Sequence, residues 1–373
     1  MNGLKARRYP ASKYCEQPER SFVCEGAQTD MKQTLEDIAN AMVAPGRGIL
    51  AADESTGTIK KRFDTIAVAS TEDSRRNYRE MLFSAKSAMK KNISGVILFD
   101  ETIRQSSANG KQTLVEMMQA TNSIPGIKVD AGAHDMAGFK GEKITAGLDG
   151  LRARLKEYHR LGARFAKWRA VIDIAPGTPT YGCIRANAHA LARYAALCQE
   201  NGIVPIVEPE VLMDGPVAAH SIERCYDVTE RTLKIVFSEL YEARVNLEGI
   251  VLKPNMIVPG KNAARQASAV QVADMTVKCL KACVPTAVPG IAFLSGGQSD
   301  ILATEHLSLM NSRHDVPWNL TFSYGRALQA AALKAWGGNP ANVKAAQAAF
   351  AHRAAMNGLA SKGKWTKAAE KAG

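Results

Sequence analysis

One pattern recurs eight times along this chain: an apolar run closes on a polar residue, and an amphipathic stretch follows. The runs cover residues 48–53, 95–101, 126–130, 163–169, 203–208, 249–253, 290–295 and 318–323. Runs this apolar predict strands buried on both faces, as in parallel sheets. Strands alternating with helices imply parallel pairing. Eight such units in one domain predict a closed (β/α)8 barrel. An open doubly wound sheet is the alternative, and no GxGxxG turn supports it. Among the intervening stretches, Leu148, Leu151, Leu155, Tyr158 and Leu161 share one helical face. Residues 187–201 and 266–283 behave similarly. Ser70 and Asp73 have capping-box spacing at the head of a helix reaching Lys91.

Helices flank the repeat. Met31, Leu35, Ile38 and Met42 recur at helical spacing before Pro45-Gly46. Near the other end, one helix is expected over 325–336. Another starts at Asn339, an N-cap followed by Pro340, and runs to about Leu359. The division is therefore a flexible extension over 1–30, a barrel with added terminal helices over 31–360, and a loose polar tail over 361–373.

Composition narrows the function. The formal net charge is +12, but the basic residues are scattered and aromatics make up only 6%, so no nucleic-acid stripe stands out. A phosphorylated small molecule suits this balance. No apolar run reaches the length of a membrane span. Seven cysteines at irregular spacing indicate a reducing compartment, hence a cytoplasmic location. Lys5, Arg7 and Arg8 hint at a targeting peptide, which Glu16, Glu19 and Glu25 argue against. Cys279 and Cys283 read as packed thiols. The seven histidines show no HxxxH or HExxH, so the expectation is chemistry without a metal or other cofactor.

The sixth run delivers Lys253 at the mouth of an apolar core, and Pro254 stops the strand there. A dehydrated amine loses basicity and can attack a carbonyl to give a Schiff base. Taken alone, such a lysine more often caps a strand with its head in water. The other strand ends shift that balance, because in a barrel they share one rim. Lys167 would sit near Lys253, each disfavouring the other's protonation. Glu208 and Glu210 offer a proton donor for losing water from a carbinolamine. Asp53 adds a candidate base. Ser295-Gly296-Gly297 is a small-residue turn able to hold a phosphate, with Arg326 on the next strand able to fork onto it. Arg62 and Lys128 could hold a second phosphate. Asp100, Glu101 and Asp130 read as partners of nearby arginines or as helix caps.

Six motifs in order resemble class I (Schiff-base) fructose-1,6-bisphosphate aldolase. They are Leu50-Ala51-Ala52-Asp53-Glu54-Ser55-Thr56-Gly57, Phe165-Ala166-Lys167-Trp168-Arg169, Pro205-Ile206-Val207-Glu208-Pro209-Glu210, Leu252-Lys253-Pro254-Asn255, Phe293-Leu294-Ser295-Gly296-Gly297-Gln298 and Phe322-Ser323-Tyr324-Gly325-Arg326. The likeness runs from about Ile38 to about Lys364. It implies a TIM barrel, a homotetramer and reversible cleavage of fructose 1,6-bisphosphate in glycolysis and gluconeogenesis. It implies Lys253 as the Schiff-base lysine, Glu208 as acid/base, Lys167 as a tuning cation and Asp53 as acceptor of the C4 hydroxyl proton. Ser295, Gly296 and Arg326, with Ser323 nearby, fall where the family binds the C1 phosphate. Lys128, Arg62, Ser55 and Thr58 fall where it holds the C6 phosphate, and Arg169 and Glu210 are further members of the site.

Three departures stand beside the likeness. The family commonly closes on a tyrosine that assists proton exchange on the enamine, and no tyrosine follows Tyr324 here. Another group or solvent would then move that proton, or the step would be slow. The N-terminal extension is long. Ala131 stands where relatives often carry a second lysine, which would loosen the C6-phosphate site. Two rival readings remain: a Schiff-base aldolase for another sugar phosphate such as sedoheptulose bisphosphate, and a scaffold whose basic surface weakly binds acidic protein segments.

Overall fold

The computed structural model describes residues 33–371. Its strands are β1 (Gly48–Ala52), β2 (Ile93–Leu98), β3 (Ile124–Lys128), β4 (Ala133–Asp135), β5 (Lys143–Thr145), β6 (Phe165–Ile172), β7 (Val204–Val211), β8 (Val251–Leu252), β9 (Gly290–Phe293) and β10 (Asn319–Tyr324). Eight of them close a barrel in the order β1-β10-β9-β8-β7-β6-β3-β2, every pair parallel. This is the (β/α)8 fold the repeat predicts. All eight sequence runs coincide with barrel strands. The two remaining strands form a small antiparallel hairpin over 133–145. Its three-residue strands carry no long apolar period, so sequence alone does not announce it.

Two apolar layers fill the barrel. The larger packs the outer strand faces against the surrounding helices. The smaller lies within the barrel at its N-terminal end, where helix Leu35–Met42 brings Ile38, Met42 and Val43 against Ile49, Phe165, Val204 and Val251. Phe165 needs its neighbours to be small. A Cβ on Gly126 would meet its ring at 2.2 Å, and one on Gly95 at 2.8 Å. That floor is fully dry, leaving the opposite end for polar chemistry.

Local signals shift in three places. The capping box forms one residue later than expected: Thr71 and Ser74 exchange side-chain and backbone hydrogen bonds at 3.1 and 2.9 Å. The helix it starts, Glu72–Phe83, ends at Ser84, and a second helix, Lys86–Asn92, follows. The sixth strand is only Val251–Leu252, preceded by a 3₁₀ turn over Leu247–Gly249. Residues 361–371, read as a loose tail, are pinned at the buried Ser361 and Trp365, the rest being largely exposed. Trp365 is buried, its indole N–H donates to Glu370 at 2.7 Å, and Glu370 pairs with the buried Arg353. One indole and one guanidinium anchor a stretch whose composition alone suggests disorder. The 1–30 extension lies outside the described residues.

Candidate active site

The C-terminal ends of the barrel strands surround a cavity of about 930 Å³. Of the fourteen residues singled out from sequence, all but Ser323 line it. Ser323 is buried behind the wall, and its hydroxyl has no partner.

Strand register sets the centre. Lys167 on β6 lies opposite Lys128 on β3, and Glu208 on β7 lies opposite Arg169 on β6. Lys253 follows β8 directly, and its backbone N–H still donates to Val207 at 2.8 Å. Pro254 then ends the pairing. The Lys253 ammonium nitrogen comes 3.1 Å from Glu208 Oε1. Glu208 Oε2 is buried and accepts no hydrogen bond. A buried carboxylate with an oxygen that accepts no hydrogen bond and makes only a 3.6 Å ion pair with Lys167 is equipped to accept and return a proton from the amine beside it.

Lys167 reaches three carboxylates: Asp53 at 2.8 Å, Asp130 at 3.5 Å and Glu208 at 3.6 Å. Burial pulls its pKa down, but Asp53, Asp130 and Glu208 outweigh burial and leave it raised. The sequence expectation that two adjacent lysines would suppress each other's protonation therefore does not describe Lys167. Carboxylates surround it, and it is firmly cationic. Asp53 shows the converse. Burial favours its neutral form, yet Lys167, Lys253 and Lys128 together hold its carboxyl down at about 2.

Asp130, read as an arginine partner or helix cap, belongs to this cluster instead. It takes a hydrogen bond from Lys128 and an ion pair from Lys167. A signal was present: two residues apart on an extended chain, Lys128 and Asp130 share one face. Asp100 and Glu101 do meet arginines, Arg104 and Arg75 respectively. Glu210 accepts a hydrogen bond from Arg169.

The perimeter is already paired. Arg62 donates to the buried Glu54, which also accepts from Gln329 Nε2 at 3.0 Å. Neither Glu54 nor Gln329 was given a role from sequence. Arg326 meets Asp214 at 3.2 Å and donates to the Gly296 carbonyl. Ser55 stands at the N-cap position of helix Thr56–Asp64 without a side-chain capping bond, and its hydroxyl lies 3.1 Å from that of Thr58. Gly296 has φ +55, a left-handed turn residue favouring glycine. Ala131 and Gly132 line the cavity wall beside Lys128 and Asp130.

A sequence model of the family described as fructose-bisphosphate aldolase class-I matches residues 34–373. The chain belongs to the class I fructose-bisphosphate aldolases. It is 55% identical over 334 residues to a probable fructose-bisphosphate aldolase class 1 of Xanthomonas axonopodis pv. citri (strain 306), covering 89% of this chain and 98% of that protein. It is 50% identical to the cytosolic fructose-bisphosphate aldolase 4 of Arabidopsis thaliana, covering 93% of this chain and 88% of that one. Among solved structures, the fructose-bisphosphate aldolase of Plasmodium falciparum, in a complex with TRAP and a small-molecule inhibitor, superposes with a TM-score of 0.86. That alignment is 48% identical and covers 89% of this chain and 95% of that one. The activity of this family is reversible cleavage of fructose 1,6-bisphosphate to glycerone phosphate and glyceraldehyde 3-phosphate through a lysine Schiff base. It is a metal-independent lyase reaction.

Proposed function

We propose that Lys253 is the lysine that carries the Schiff base, with Glu208 as its proton partner. The observation behind this is the 3.1 Å contact between Lys253 and a buried Glu208 carboxylate whose other oxygen accepts no hydrogen bond and lies 3.6 Å from the Lys167 ammonium. Lys253 passes a proton to Glu208, and the neutral amine adds to the C2 carbonyl of the ketose. The carbinolamine hydroxyl takes the proton back and leaves as water, giving the iminium. Atoms and charge balance within the pair.

Asp53 accepts the C4 hydroxyl proton as the C3–C4 bonding electrons move toward the iminium. Held at about 2, Asp53 is ionised at any working pH and is a weak base. The electron sink at the iminium supplies the drive that its basicity lacks. Lys167 stays cationic between Asp53 and Glu208 and steadies both. Ser295, Gly296 and Arg326 hold the C1 phosphate. Lys128, Arg62, Ser55 and Thr58 face the C6 phosphate. Arg169 and Glu210 act as one ion pair that walls the site, and Ser323 supports it from behind.

The molecule works as a homotetramer in the cytoplasm, as the name of the cytosolic Arabidopsis relative suggests for location. A weak affinity of its basic surface for acidic protein segments accompanies this. The sequence divides into an N-terminal extension over 1–30 and a catalytic barrel. The experiment that tests the central assignment is borohydride reduction with glycerone phosphate, followed by peptide mass mapping. A reduced adduct on Lys253 is expected; an adduct on Lys167 instead would overturn the assignment.

A further inference from the structure

The turn after β9 is shaped by a residue that never touches the cavity. The Ser295 carbonyl accepts two hydrogen bonds from Gln298, one from its backbone N–H at 3.1 Å and one from its side-chain Nε2 at 3.0 Å. The other amide atom of Gln298, Oε1, lies 2.6 Å from His306 Nδ1. His306 belongs to helix Asp300–Arg313 and is 2% exposed. Burial pushes its imidazole down to about 4, so it is neutral near pH 7. A neutral imidazole has one N–H, and an amide oxygen only accepts, so Nδ1 carries the proton.

That tautomer fixes the polarity of the chain. With Oε1 held by the imidazole, Nε2 must face the Ser295 carbonyl. Without a donor at Nδ1, Oε1 is left without its 2.6 Å partner, and the amide is no longer held where Nε2 meets the Ser295 carbonyl. The turn would then lose one of the two bonds on the Ser295 carbonyl, and the left-handed Gly296 segment, whose backbone N–H groups the proposed function turns toward a phosphate, would loosen.

We propose that His306 is a positioning residue for phosphate recognition, acting through Gln298 on the Ser295-Gly296 turn. This rests on the reading of that turn as the C1-phosphate site. The residue touches no substrate, so its loss reads as binding and not as chemistry.

The test compares His306→Phe, which keeps a ring but removes the donor, with His306→Asn, whose amide can donate from the position of Nδ1. In the full chain, His306→Phe should raise KM for fructose 1,6-bisphosphate and weaken glycerone phosphate binding about tenfold, as for one lost hydrogen bond, with kcat little changed. His306→Asn should restore both. Arg326→Ala serves as the arm for the site itself. If Arg326→Ala weakens binding and His306→Phe does not, the positioning role is overturned and the phosphate site stands. If neither weakens it, the site reading fails and the proposal with it. Equal losses in His306→Phe and His306→Asn would mean simple space filling, which also overturns it. Should His306→Phe fail to fold, Gln298→Met removes the same bond. An unchanged KM there is a negative result, and a raised KM with steady kcat is a positive one.

Discussion

The centre of the barrel mouth and its perimeter use the same residue types in opposite surroundings. Side chains of Lys253, Glu208 and Lys167 are 4–5% exposed. Those of Arg62, Arg169 and Arg326 are 23%, 44% and 56% exposed. In the centre, charge is dehydrated, so each ion depends on a partner that must stay in place. At the edge, water reaches the arginines, and the Arg326–Asp214 pair is screened on both sides, whereas Glu54 and Glu210 stay buried beneath Arg62 and Arg169. Chemistry that must move a proton by a set distance sits where nothing else can move. Recognition that must admit and release a substrate sits where water reaches the cations.

The sharpest way to break this contrast is at its centre. Lys253→Met should abolish cleavage, since no imine can form; a turnover assay leaving substantial activity would sink the Schiff-base role. Lys167→Met comes next. It strands Asp53, Asp130 and Glu208 together, and losing the shared cation from a buried cluster should cost about 3–5 kcal/mol of stability by urea unfolding. The pH signature should also reverse. In the wild type, Asp53 is depressed from 3.8 to about 2, so its contribution is complete above pH 3.8 and lost as pH falls toward 2. Lys167 is raised above 10.5, so its contribution is present below that pH and lost only as pH rises through its folded value. In Lys167→Met the crowded carboxylates should bind protons more readily folded than unfolded, so mild acid should stabilise it. A variant that loses stability on acidification, as the wild type does, would contradict the crowding.

On the perimeter the effects shrink. Arg326→Ala removes a charge-assisted contact and should cost roughly 1.5–3 kcal/mol of glycerone phosphate affinity by titration calorimetry. Arg62→Ala removes one cation from the proposed second phosphate site and should flatten the dependence of KM on salt. Removing residues 1–30 should leave turnover unchanged in a steady-state assay.

The strand framework was legible because both-face burial writes an unbroken apolar run, and the residue closing each run is the one lifted into the mouth. Lys253 and Glu208 were read that way. What sequence could not supply was the count of neighbours across strands. Lys167 read as a competitor of Lys253 because both are lysines; only register shows three carboxylates around it. Asp130 has one partner two residues away, Lys128, which the sequence does place on its face, and a second, Lys167, which only strand register brings to it. The packing of Trp365 and Glu370 onto Arg353 likewise joins segments whose separate compositions are unremarkable.

One feature of the perimeter carries a kinetic meaning. Arg62, Lys128, Arg169 and Arg326 each already hold a carboxylate: Glu54, Asp130, Glu210 and Asp214. On the proposed assignment, a phosphate arriving at Arg62, Lys128 or Arg326 would not drop into an open positive hole; it would compete with the carboxylate already there. The exchange favours a dianion with three acceptor oxygens over the carboxylate it replaces, whereas a simple organic acid gains nothing by trading places with its own kind. The built-in carboxylates thus act as a standing competitor, and the mouth discriminates by what can displace them.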